Sequence, residues 1–140
     1  MATTTTTQHQ SSKVLHIALW IAQVMLGGMF LMAGFMKAFT PIEELSATLP
    51  FAKDMMGLTR FIGVSEILGG LGIILPAALR IAPKLTFWAA YGLAAIMILA
   101  VVFHISRSEF AALPTPLVLG SLAIFVAWGR SVKAPIFNRA

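Results

Sequence analysis

The chain has 140 residues, of which 59% are hydrophobic and only 11% are charged, and its net charge is +5. Soluble domains carry about 25% charged residues, so this composition cannot supply a water-exposed surface. The basic residues lie at the ends of apolar runs, which is typical of charges flanking membrane helices and argues against a nucleic-acid partner. The absence of cysteine excludes disulfides, thiolate metal ligands and a thiol relay within this chain.

Residues 1–13 contain five consecutive threonines and no apolar periodicity, which predicts a disordered tail. The next run is apolar over about residues 14–37, and this length favours a retained membrane helix over a cleaved signal peptide. Residues 38–59 contain Pro41, Pro50 and several charges, so we expect an aqueous loop. Within that loop, residues 51–58 favour a short helix lying on the membrane surface.

Three further apolar runs predict helices over about residues 60–79, 85–104 and 112–129. A basic cytoplasmic tail, residues 130–140, follows them. Each run is close to the ~20 residues needed to cross a bilayer, and the fourth is the shortest. The predicted fold class is therefore all-α: a polytopic membrane protein whose four transmembrane helices form one bundle over residues 14–129, with the lipid bilayer as its first partner.

Four spans place both termini on the same side of the membrane. Of the segments outside the apolar runs, those on the side of the termini hold six bases and no acid, and those on the other side hold four of each. The positive-inside rule then predicts that both termini are cytoplasmic. The six bases are Lys13, Arg80, Lys84, Arg130, Lys133 and Arg139.

Glu66 is the most informative residue because it lies within an apolar run. A lone carboxylate at the centre of a membrane helix costs about 2.5–3.5 kcal/mol on insertion scales, so we expect Glu66 to face the bundle and to be paired or protonated. Lys37, Arg60 and His104 all lie at the predicted outer ends of their helices. The topology therefore predicts that these four ionisable residues converge in the outer half of the bundle.

Two interpretations of this convergence stay open. In the first, Glu66 relays a proton, His104 titrates near neutral pH, and Lys37 holds an anionic or quinone-like oxygen in a polar pocket. In the second, Lys37 and Glu66 only clasp two helices, His104 caps a helix end, and Lys37 reaches towards the headgroups. No spacing of metal ligands is present, so no metal site is predicted.

Three segments resemble the DoxX-like family of four-helix bacterial membrane proteins: GGMFLMAGFMKAF, RFIGVSEILGGLGIILP and ILAVVFH. The resemblance covers about residues 19–126. The family pattern ends the first helix with a glycine and a lysine. It places a glycine, a glutamate, small residues and a terminal proline on the second, and it ends the third with a histidine. The matching residues are Gly34, Lys37, Gly63, Glu66, Gly69, Gly70, Pro76 and His104. Small residues at such positions favour close helix packing.

The resemblance implies a bacterial cytoplasmic (inner) membrane location and a membrane subunit or anchor of a quinone-linked oxidoreductase system. The chain would then hold a quinone or anchor a redox protein, with no covalent cofactor and no catalysis of its own. Two alternatives stay open: a non-enzymatic scaffold whose buried charges only fix helix packing, and a small proton-coupled transporter. The last would need a homo-oligomer, because four helices are few for a transporter.

Overall fold

The computed structural model describes the backbone of residues 2–139 and the side chains of residues 13–139. Within this range the chain forms five α-helices and no strand. They are α1 (Ala2–Phe39), α2 (Ile42–Thr48), α3 (Met56–Leu79), α4 (Lys84–Ser106) and α5 (Pro114–Trp128). The backbone of residues 2–13, which the sequence predicts as a disordered tail, is described as the first part of α1, and the side chains of residues 1–12 lie outside the described range.

Four helical segments are long and apolar enough to cross a membrane. They are Lys13–Phe39, Met56–Leu79, Lys84–Ser106 and Phe110–Lys133. The fourth exceeds α5 because a 3₁₀ turn (Phe110–Ala112) precedes α5 and a π-helical turn (Gly129–Lys133) follows it. Only 28–33% of each span is buried within the protein, so most of the apolar side chains face outward and need lipid around them. The predicted four-helix membrane bundle is confirmed.

The loop between the first two spans differs from the prediction. Its helix is α2, which begins directly after Pro41, and Pro50 starts a 3₁₀ turn, Pro50–Ala52. Met56 and Leu58, which we expected to lie on the membrane surface, instead form the first turn of α3. Proline fixes φ and lacks an N–H, which suits the first turn of a helix, so the two prolines start short helical segments and do not simply interrupt the chain.

The bundle is closed in the order α1, α3, α4, α5, with the most extensive packing between α1 and α3 and the sparsest between α5 and α1. Its core is apolar and includes Leu26, Phe30, Ile73 and Leu93. At one end, which we call the Arg130 end, the start of the first span near Lys13, the turn between α3 and α4, and the C-terminal segment meet. There the N–H of Arg139 donates to the carbonyl of Arg80 at 2.8 Å. We call the opposite end the Lys37 end.

Candidate functional site

Lys37 and Glu66 form an ion pair between α1 and α3. The Lys37 ammonium donates to both carboxylate oxygens of Glu66, at 2.9 Å to Oε1 and 2.8 Å to Oε2. The Glu66 side chain is 2% exposed and that of Lys37 is 17% exposed. The carboxylate is thus sealed inside the protein, while part of the lysine remains reachable from outside.

Arg60 lies next to this ion pair and binds the end of α1 without contacting Glu66. Its Nη1 donates to the carbonyl of Lys37 and its Nη2 to the carbonyl of Thr40, both at 2.7 Å. The last carbonyls of a helix have no partner within the helix and carry a partial negative charge, so a guanidinium there is favourable. Arg60 therefore holds the end of α1 that carries Lys37.

Two glycines allow α1 and α3 to approach at this level. A Cβ atom added at Gly63 would lie 2.7 Å from the backbone nitrogen of Ala38, and one added at Gly34 would lie 2.7 Å from the carbonyl oxygen of Gly63. Both distances are too short for any side chain, so the backbones themselves are in contact. Of the other predicted close-packing positions, Gly70 faces the carbonyl of Gly27 across the same interface, and Gly69 faces Leu93 of α4.

His104 belongs to a separate cluster. Its Nδ1 lies 2.8 Å from Oε2 of Glu109, in the loop after α4, and its ring lies edge-on to Phe51 with the centroids 6.3 Å apart. Glu109 also accepts a hydrogen bond from Nε of Arg107 at 2.8 Å. These bonds, first that from Arg107 and then that from His104, lower the pKa of the exposed Glu109 carboxyl from its usual value. The structure brings together Lys37, Glu66 and Arg60, and it gives His104 a different acidic partner.

A second polar cluster lies at the Arg130 end and bridges the sparsely packed seam between α1 and α5. Arg130 lies in the π-helical turn and is 2% exposed. Its Nε donates to Oε1 of the fully buried Gln23, whose amide nitrogen donates to the carbonyl of Ile73 in α3 at 2.8 Å. The amide orientation of Gln23 follows from these two contacts, because only its oxygen can accept from a guanidinium.

Hydrogen-bond acceptors are too few around Arg130. Its Nη1 lies 2.9 Å from Nδ1 of His16 and 3.1 Å from the carbonyl of Ala134, while Nη2 is buried without a partner among the described residues. On the other side of the His16 ring, the indole N–H of Trp20 points at Nε2, 3.1 Å away. A neutral imidazole has only one acceptor nitrogen, and here both nitrogens face a donor. At most one of these two contacts is a hydrogen bond, so at least one donor besides Nη2 lacks its acceptor.

Comparison with known families decides the identity of the fold. The sequence pattern of the DoxX-like family matches residues 21–126, which cover all or most of each of the four spans. The chain belongs to the DoxX-like family. No curated protein and no solved structure matches it.

Sequence reasoning did not predict the buried part of this DoxX-like protein around Arg130. We had placed Arg130 at the start of a basic tail, because the apolar run stops just before it. A signal was present in α1: His16, Trp20 and Gln23 are spaced by four and three residues, so they share one face of the helix. A polar stripe that continues into an apolar span needs a polar partner from another helix.

Metal binding finds no support in the described part of this DoxX-like protein. No group of three or more His, Cys, Asp or Glu side chains lies close enough together there to hold a metal ion. The chemistry available at the Lys37 end is therefore that of an ammonium–carboxylate pair, and at the Arg130 end that of a guanidinium with unused donors.

Proposed function

We propose that this DoxX-like protein is a non-catalytic membrane subunit of a quinone-linked oxidoreductase system, and that Lys37 holds a quinone oxygen. The observation that carries the proposal is the asymmetry of the ion pair, in which Glu66 is sealed and Lys37 is partly reachable. An ammonium has three N–H donors, and Glu66 receives two of the hydrogen bonds that Lys37 can make. One donor remains for a ligand.

The remaining donor suits a neutral, lipophilic ligand better than an ion. Glu66 already balances the charge of Lys37, so an incoming carbonyl oxygen gains a charge-assisted hydrogen bond without bringing a further charge into the membrane. A quinone would supply reversible electron and proton uptake when bound. The protein's part would be to position the ring through Lys37 and to keep Glu66 and Arg60 away from bulk water. The family resemblance supports a redox protein as the partner.

Quinone retention tests this proposal directly. We expect nanodiscs made with wild-type protein from native membranes to retain quinone, measured by mass spectrometry against protein, and Lys37→Met to retain about tenfold less, since one hydrogen bond to a charged donor is worth about 1.5 kcal/mol or more. Lys53→Met is the matched control, because it removes an exposed loop lysine. If folded Lys37→Met and Glu66→Gln proteins retained as much quinone as the wild type, the proposal would be contradicted.

A second candidate is the helix scaffold, and the complete pairing of the carboxylate favours it. Both oxygens of Glu66 are satisfied by Lys37, so the pair is sufficient as a clasp between α1 and α3. On this hypothesis the double variant Lys37→Met/Glu66→Gln supports the partner complex like the wild type, while each single variant is worse. If the double variant folds normally but loses quinone and partner activity, the scaffold hypothesis fails.

We further propose that the Arg130 end faces the cytoplasm of a bacterial inner membrane. The six bases without an acid on that side support this orientation. Because the chain has no cysteine, single-cysteine variants give an unambiguous test. A membrane-impermeant thiol reagent added to intact cells should label Asp54→Cys and leave Asn138→Cys unlabelled. The opposite pattern would invert the topology. Homo-oligomerisation stays a prediction.

A further inference from the structure

We infer that the Arg130 end binds the phosphate headgroup of an anionic phospholipid, with Arg130, Lys133 and Lys13 as the recognising cations. This site lies at the opposite end of the bundle from Lys37 and is independent of the function proposed above. Three observations carry it: a buried guanidinium with one nitrogen that has no partner among the described residues, the absence of acidic side chains nearby, and an adjoining basic cavity.

The guanidinium has unused hydrogen-bonding capacity. Its Nη2 is buried and has no partner among the described residues, and its Nη1 competes with Trp20 for the single acceptor of neutral His16. A buried cation without an anion is costly, because it has lost its hydration and gained no counter-charge. A phosphate diester bound close to the guanidinium would supply the missing counter-charge.

The chain itself offers no acidic side chain that could do the same. Of its five acidic side chains, Glu66 pairs with Lys37 and the others lie in the two loops at the Lys37 end. Those four are Glu43, Glu44, Asp54 and Glu109. No acidic side chain of the chain therefore balances the charge of Arg130.

A cavity next to Arg130 gives that ligand a place. It has a volume of about 460 Å³, and its lining includes Lys13, Lys133 and His16 together with the apolar Ile17 and Phe137. His16 and Ala134, the two Nη1 partners of Arg130, both line it. Arg130 itself does not line the cavity; its charge lies behind His16 and Ala134, and the cavity adds two further cations at its wall, Lys13 and Lys133.

The position of the cavity favours a phospholipid over a free anion. It lies where the apolar span of α1 begins, and its apolar lining residues Ile17 and Phe137 are 60% and 71% exposed. A phosphate held there would leave its glycerol and acyl chains beside these apolar side chains. Basic pockets between transmembrane helices at the cytoplasmic side are typical sites for anionic headgroups.

The test compares lipids on the full-length protein. Native mass spectrometry and titration in detergent micelles measure binding of short-chain phosphatidylglycerol, short-chain phosphatidylcholine and inorganic phosphate. We expect wild type to bind phosphatidylglycerol most tightly. Arg130→Gln should weaken that binding about tenfold, because it removes the buried positive charge next to the cavity, and Lys133→Gln about fivefold. Arg139→Gln is the matched control, since it removes an exposed charge at the same end that does not line the cavity.

Each other outcome overturns the inference. Equal binding of the two lipids would remove the role of the anionic headgroup. Equal weakening by Arg139→Gln would show a diffuse surface attraction and no site. Inorganic phosphate binding as tightly as phosphatidylglycerol would make the ligand a soluble anion. Should Arg130→Gln fail to fold, Lys133→Gln and Lys13→Gln decide the matter, because both change exposed side chains.

Discussion

The two ends of the bundle handle a buried charge in opposite ways. At the Lys37 end the carboxylate of Glu66 receives both its hydrogen bonds from Lys37, so the charge is balanced within the chain. At the Arg130 end the guanidinium is equally buried but has no carboxylate, and one of its nitrogens has no partner among the described residues. Among the described residues, the first arrangement is complete and the second is not.

This difference separates the effect of each charge on folding from its effect on binding. Breaking a balanced pair leaves a charge behind and costs stability, whereas removing an unbalanced charge relieves a cost that a ligand would otherwise cover. Removal of the buried charge should therefore cost more stability at the Lys37 end than at the Arg130 end, and it should change lipid binding only at the Arg130 end.

The largest effect is expected from breaking the Lys37–Glu66 pair. Glu66→Gln should lower the free energy of unfolding by about 3 kcal/mol, because it leaves a poorly solvated ammonium without its anion. Arg130→Gln, measured in detergent without anionic lipid, should cost far less, since no partner charge is left behind. Reversible unfolding in mixed micelles gives both values. If both variants lost the same free energy of unfolding, the proposed difference between the two ends would be contradicted.

The close approach of α1 and α3 should come next. Gly63→Ala places a methyl group against the backbone of α1 at Ala38 and Gly34, so we expect a loss of about 2 kcal/mol from overpacking and a weakened Lys37–Glu66 pair. Gly28→Ala is the control on α1, because a Cβ there has no atom within 4 Å. It should be neutral or stabilising by up to about 1 kcal/mol, as usual for glycine replaced within a helix. If both changes are neutral, the interface is looser than the structure indicates.

A carboxylate introduced beside Arg130 would make the Arg130 end resemble the Lys37 end. Gln23→Glu gives Arg130 a carboxylate in place of the amide oxygen that it contacts, at the cost of the hydrogen bond to Ile73. A charge-assisted bond outweighs a neutral one, so we expect a net gain of about 1 kcal/mol without anionic lipid. Phosphatidylglycerol should then stabilise the variant less than it stabilises the wild type. Gln23→Met, which removes both bonds, should lose stability, and a loss in Gln23→Glu as well would show that Arg130 already has its counter-charge.

The smallest effect is expected from Glu109, which lies outside the spans and is exposed. Its pKa is lowered in the folded protein, mainly by the hydrogen bond from Arg107 and then by that from His104. A lowered folded-state pKa gives stability that is present above the ordinary value and is lost as the pH falls through the lowered one. The thermal stability of the wild type should therefore fall slightly as the pH drops below 4.5, the ordinary pKa of the carboxyl. Glu109→Gln should make the melting temperature depend less steeply on pH in this range. An unchanged slope would mean that other carboxylates dominate.

The sequence by itself determined the architecture and one of the two polar clusters. A run of about 20 predominantly apolar residues is typical of a membrane helix, so four spans could be predicted from the chain alone. A carboxylate inside such a run requires a partner, and the topology left Lys37 as a candidate for Glu66. The sequence also predicts that His104 joins them, but its ring contacts Glu109 in the loop after α4. A residue at the end of a helix can turn towards the adjoining loop, and the sequence pattern does not show which way it turns.

Only the tertiary structure decided the state of Arg130. A base at the end of an apolar run has the same sequence signature whether it reaches water or lies under a neighbouring helix. The difference comes from the π-helical turn after α5 and from the packing of Leu19 against Gly129, which bring Arg130 to Gln23 and His16 of α1. Burial depends on contacts between residues more than a hundred positions apart, and apolar periodicity along the chain carries no record of them.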